Sequence, residues 1–335
     1  MAFLLKVLPL IAFAVPMAVL YVVNPFDASL NVSAQASFEL MWKGRTFQLF
    51  FIWLIALELI LGWENISSKI NMQNKAQFAI YAVALALPSV YVLAEFLGLN
   101  SALAAWSSQT GVAFAVSMPL AIEYLVFSVI FLLLAFLGYG KKGLADFALP
   151  AIFVALVGVL YTIDNVFPYG EFTPFQLLVP TTASLAGGVL NLMGYAVIPG
   201  IEASTGMPTL NVTGAAGSAE FAIAWPCAGI ESLLIFTAVA LLFLKQMNIS
   251  RKAKISFFAF GAAITYLINI LRITEIFVIG AQYGEYSDQV NAFHYYYGPL
   301  YAMAWIVAYP LIIMAATMGW QKFRKKPQQA QLNPA

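Results

Sequence analysis

The chain has 335 residues, of which 62% are hydrophobic and only 9% charged. Soluble domains carry about 25% charge, so this composition excludes a soluble globular protein and defines a polytopic membrane protein. The net charge of +1 without a basic cluster gives no nucleic-acid partner, and a single cysteine excludes an internal disulfide and any multi-cysteine metal cluster.

Hydrophobic spans are predicted at 3–23, 47–63, 77–97, 115–139, 144–163, 226–247, 255–279 and 296–319. Each has roughly the 17–25 residues that a bilayer core of about 30 Å demands. Lys6 before the run Val7 to Val23 resembles the start of a signal peptide. No small-x-small cleavage site follows the run, so it is read as an uncleaved first span.

Orientation follows from lysine and arginine, which gather in cytoplasmic loops. Lys69 and Lys75 share one short loop, Lys141 and Lys142 another, and Arg251, Lys252 and Lys254 a third. Lys322, Arg324, Lys325 and Lys326 close the chain. Eight spans put all four groups, and both termini, in the cytoplasm. Lys43 and Arg45 are the exception on the other side. Sequons at Asn31 and Asn211 fall outside, whereas those at Asn65 and Asn248 fall inside, where they would be inert.

Segment 174–199 is apolar enough for a ninth span, but that would invert the basic loop at 251–254. Phe175, Leu178, Val179, Leu185, Val189, Leu190 and Met193 make a helical stripe, with Gln176, Thr181, Ser184, Gly188 and Asn191 towards the other side. An amphipathic helix in the outer interface is expected. Residues 200–225 alternate short apolar runs around Gly214 to Gly217, which predicts a β-hairpin delivering the chain to Cys227. The expected fold is thus an all-α integral membrane protein, an eight-span helical bundle with both termini inside. Residues 1–173 form a five-span bundle, 174–225 the extracytoplasmic helix and hairpin, 226–320 a three-span catalytic core, and 321–335 a basic, polar cytoplasmic tail.

Three scarce residues stand at the entrances of the last three spans. Cys227, the only cysteine, follows Pro226 in what reads as the first turn of the span 226–247. A thiol at the positive end of a helix dipole is favoured as thiolate. Arg272 lies inside an apolar run, at a cost of about 2.5–3.5 kcal/mol on insertion scales, so a function or an internal partner is the default. Asn269, one turn earlier, could fix its guanidinium. The alternatives for Arg272 are snorkelling or an ion pair with Glu231 or Glu275. His294, the only histidine, opens the last span beside Tyr295, Tyr296 and Tyr297, where a helix N-terminus keeps imidazole neutral. Thiolate chemistry needs a nucleophile, a proton-transfer partner and a cation facing the oxyanion, and Cys227, His294 and Arg272 supply those roles in that order.

These residues resemble the exosortase/archaeosortase family of membrane transpeptidases. Cys227-Ala228-Gly229-Ile230 is similar to the family's cysteine motif, Asn269 through Ile273 to its arginine motif, and His294 through Gly298 to its terminal histidine motif. The resemblance covers residues 174–319 and leans towards an archaeosortase. Some archaeal members carry arginine at the third position, where this chain keeps histidine. The resemblance implies a thioester on Cys227, with Arg272 and His294 as the other catalytic groups. Asn269, Gly229, Glu231 and Gly298 support them, and neither metal nor cofactor is needed. The implied partners are secreted proteins ending in a recognition motif, a transmembrane helix and a basic tail, with a membrane lipid as possible acceptor. The active site would face the outside of the cell membrane. Two other readings compete. A transporter or channel would use intramembrane acids such as Glu58. A lipid acyl- or glycosyl-transferase would not need the cysteine.

Overall fold

The computed structural model describes residues 2–23, 46–63, 74–167 and 171–332. Lys43, Arg45 and Lys69 and the sequons at Asn31 and Asn65 lie outside the described residues. The chain divides into two compact units, 1–174 and 175–335.

The first unit is helical. Its main elements are α1 (Ala2–Val22), α2 (Thr46–Leu61), α3 (Lys75–Phe96), α4 (Leu99–Gln109), α5 (Met118–Asp146) and α6 (Ala148–Val166). Asn74 starts α3 by accepting the Gln77 N–H through its side chain at 2.8 Å, as an N-cap should. Gly140, at φ 67°, bends α5 where the basic pair Lys141 and Lys142 follows. Phe13, Phe51, Phe127 and Phe131 form the centre, ring edges against ring faces at 5.1–5.7 Å. Polar groups are buried beside them: Gln48 donates to Glu123 across the bundle, and Glu58 is buried on α2. Helix α4 was not expected, because Leu99 to Gln109 mixes small, polar and apolar residues.

The second unit holds α7 (Val179–Leu192), a three-stranded sheet, then α8 (Ile230–Gln246), α9 (Arg251–Tyr283) and α10 (Gly298–Leu332). Strands β1 (Ala196–Ile201), β2 (Pro208–Gly214) and β3 (Gly217–Ala222) pair antiparallel in that order. Two expectations are corrected here. The helix expected over 174–199 is shorter, because Gly194, at φ 90°, turns the chain and residues 196–201 become a strand. The expected hairpin, β2 and β3, is therefore extended by a third strand, β1, beside β2. Moreover, the expected apolar stripe divides on α7, with Val179 and Leu190 buried. Leu185 and Met193 are exposed, while Thr182, Ala183, Ala186, Gly187 and Leu190 are buried. Small residues let the backbone approach closely. A Cβ on Gly187 would lie 3.4 Å from Val197 on β1.

The sheet sits against the end of α9. A Cβ on Gly280 would meet the Phe221 ring at 2.6 Å, and one on Gly217 the Ala281 carbonyl at 2.6 Å. Phe221 and Phe277 pack edge to face at 5.2 Å. At the other end of α9, Ser250 caps the first turn by accepting the Ala253 N–H at 3.3 Å.

Among the described residues, five helices are long and apolar enough to cross a membrane: Lys75–Phe96, Ala115–Lys141, Ala148–Val166, Arg251–Tyr283 and Gly298–Gly319. They fall on five of the eight expected spans. The segments expected at 3–23, 47–63 and 226–247 form α1, α2 and the 17-residue α8. The tail expected from 321 continues the backbone helix of α10 as far as Leu332.

Candidate active site

The chain leaves β3 and makes a short 3-10 turn over Trp225–Ala228. Pro226 suits this position, having no N–H to leave unpaired. Gly229 follows at φ 88°, a left-handed conformation that L side chains rarely adopt. Helix α8 begins only at Ile230. Cys227 is therefore not in the first helical turn, as expected, but in a separate turn before it. Its N–H donates to the Ala224 carbonyl at 3.0 Å.

Helix α9 supplies the groups that hold this turn. The buried Asn269 donates its side-chain N–H to the Cys227 carbonyl at 2.8 Å. It thus fixes the thiol's backbone rather than the guanidinium, a correction to the expected role. Gly229 makes room for that contact: a Cβ there would stand 3.0 Å from the Asn269 amide nitrogen. One turn further along α9, the Arg272 Nη2 donates to the His294 carbonyl at 3.0 Å. His294 lies in a π-helical turn, Phe293–Tyr297, which precedes α10 rather than opening it. Gly298 closes the arrangement. A Cβ there would come within 2.8 Å of Arg272 Nε and 3.0 Å of its Cγ, so the arginine stem runs across this glycine.

The charges act on one another in the same way. Cys227 and His294 both lie outside the long apolar helices. Burial pushes the Cys227 thiol above its ordinary range; the Arg272 guanidinium offsets part of this and the Glu231 carboxylate adds to it. The helix-dipole expectation of a lowered thiol is thus corrected, since desolvation of the anion outweighs the Arg272 charge. The His294 imidazole is pushed down to about 4 by burial and by Arg272. The resting pair is a neutral thiol and a neutral imidazole. Arg272→Gln removes a charge that favours the thiolate, so the midpoint of the alkylation-rate profile of Cys227 should rise. Glu231→Gln removes one that opposes it, so the midpoint should fall. Because the chain has one cysteine, maleimide alkylation against pH reads this site alone.

All seven expected site residues therefore fall in the second unit, linked by contact or by charge. Reasoning from sequence missed two more. Thr182 on α7 and Tyr266 on α9 share a hydrogen bond of 2.8 Å next to the cysteine turn. The spacing of Tyr266, Asn269 and Arg272, three residues apart, is the signal that could have found one of them. Among the described residues no group of three or more His, Cys, Asp or Glu could hold a metal ion.

A helical membrane protein that gathers a lone thiol, a guanidinium and an imidazole about one long helix, α9, belongs to the class of multi-pass proteins with a candidate nucleophile site. The chain matches the transmembrane exosortase family over residues 41–313, and it belongs to that family. The family is one of membrane cysteine transpeptidases. No curated protein and no solved structure matches the chain.

Proposed function

We propose that this protein is an eight-span archaeosortase-type cysteine transpeptidase. Its site would open on the outer side of the cell membrane and act on secreted proteins that end in a sorting signal. One observation carries the reading: helix α9 holds both the cysteine turn and the histidine turn, Asn269 binding the Cys227 carbonyl and, one turn further on, Arg272 Nη2 the His294 carbonyl.

The chemistry follows from the resting state. The Cys227 thiol attacks the scissile carbonyl of the substrate while His294 takes the thiol proton. The tetrahedral oxyanion faces Arg272. As the C–N bond breaks, His294 returns the proton to the leaving amine, which departs with the substrate's own transmembrane helix. A thioester remains on Cys227. An acceptor amine or hydroxyl, such as one on a lipid headgroup, then attacks this thioester. His294 takes the acceptor's proton and passes it to the departing sulfur, which restores the thiol. With imidazole near 4 and the thiol raised, proton transfer is unfavourable until a bound substrate supplies the developing oxyanion next to Arg272. That coupling guards an idle nucleophile. The neighbouring sheet and α7 would shield the thioester from water, favouring transfer over hydrolysis.

The test uses a membrane-impermeant maleimide on intact cells. Cys227 should label from outside, and a peptide carrying the host's sorting motif should slow that labelling. Labelling only after the inner face is exposed would refute the topology. Unchanged labelling with the peptide present would count against substrate binding at this cysteine.

A further inference from the structure

Ala228, the residue after the cysteine, is fully buried, so its carbonyl needs a partner inside the protein. The partner is on another helix. Thr182 Oγ1 stands 3.5 Å from that carbonyl, 2.8 Å from the Leu178 carbonyl of its own helix, and 2.8 Å from the Tyr266 hydroxyl. A carbonyl only accepts, and threonine has one hydroxyl proton. The Leu178 carbonyl takes that proton, with the Ala228 carbonyl as a longer second contact, which leaves Tyr266 to donate to Thr182 Oγ1. Tyr266, Asn269 and Arg272 then lie along one face of α9, at successive steps of three residues. From that face Asn269 takes the Cys227 carbonyl, and Tyr266, through Thr182, backs the Ala228 carbonyl. Two successive carbonyls of the turn are referenced to the helix face that carries the guanidinium.

We propose that Thr182 and Tyr266 are positioning residues: by tying α7 to α9 beneath Ala228, they set how the Cys227 turn stands relative to Arg272. This rests on the reading of Cys227 as the nucleophile.

The test uses the full-length, detergent-solubilised protein with N-ethylmaleimide as probe. Thr182→Val and Tyr266→Phe should shift the midpoint of the Cys227 alkylation profile by about half a unit or more. Thr274→Val should not, since it removes a buried hydroxyl that bonds only to Ile270 of its own helix. Thr182→Ser keeps the hydroxyl and should behave as wild type. In the transfer reaction, Tyr266→Phe should lower kcat about tenfold with KM within about twofold. A wild-type alkylation midpoint in Tyr266→Phe and Thr182→Val, or a Thr182→Ser profile as shifted as that of Thr182→Val, would overturn the proposal. If Cys227→Ala retained activity, the catalytic reading would fall, while the alkylation midpoint would still decide whether this pair positions the turn.

Discussion

Cys227→Ala should abolish processing of the sorting signal, by at least about a thousandfold, while the protein still accumulates in the membrane. The two halves of that expectation come from different atoms. The turn over 225–228 is held through backbone groups: Asn269 binds the Cys227 carbonyl, and the Cys227 N–H binds Ala224. None of these is lost when the side chain is cut back to a methyl group. Cys227 as a whole is half-buried and its side chain is small, so little packing is removed either. The thioester, however, cannot form without sulfur. Cells carrying the variant should therefore accumulate substrate that keeps its transmembrane helix and basic tail, visible as a larger band on a blot. Cys227→Ser should do the same, because a serine hydroxyl is a far weaker acid than a thiol and does not form the anion that attacks. Normal processing in Cys227→Ala would remove the transpeptidase reading and favour an enzyme that works without a thiol.

The residues that could be read from sequence were those whose placement is costly. Arginine inside an apolar run demands a partner, and the structure supplies the His294 carbonyl. A lone cysteine after a polar loop and a lone histidine before the last span are conspicuous by rarity. Their surroundings were less legible, for local reasons. Gly229 takes a positive φ and detaches the cysteine turn from α8, and burial, which no local pattern shows, pushes the thiol up. A sequence shows Asn269 on the same side of α9 as Arg272, but not the turn that folds against it. Residues 196–201 are apolar without strict alternation, so their strand character depends on pairing with β2 over six residues. Helix α7 hides part of its packing for a related reason: between the buried Val179 and Leu190, its buried face is made of Thr182, Ala183, Ala186 and Gly187, which hydrophobic periodicity ignores. Thr182 and Tyr266 matter through a hydrogen bond that spans 84 residues, and no local pattern encodes it.

Arg272→Lys should lower kcat by about two to three orders of magnitude with a smaller change in KM. The argument turns on the shape of the guanidinium. Its Nη2 is committed to the His294 carbonyl, and its stem passes over Gly298. Nε is buried and has no hydrogen-bond partner among the described residues. A buried N–H without an acceptor costs about 1–3 kcal/mol, a cost that an oxyanion formed near Cys227 would relieve. In the proposed mechanism one fork braces the histidine turn and also meets the oxyanion. Lysine keeps the charge but has a single ammonium on a flexible stem, and cannot hold both directions. Alkylation separates the two contributions. Arg272→Lys should leave the Cys227 midpoint closer to wild type than Arg272→Gln does, because the charge is retained, while activity is lost in both. Gly298→Ala approaches the same group from the other side, where the new methyl would press on Nε at 2.8 Å and displace the fork without altering any charge. It should give an intermediate loss of kcat. Full activity in Arg272→Lys would show that charge alone suffices, and the fork would then have no part in the mechanism.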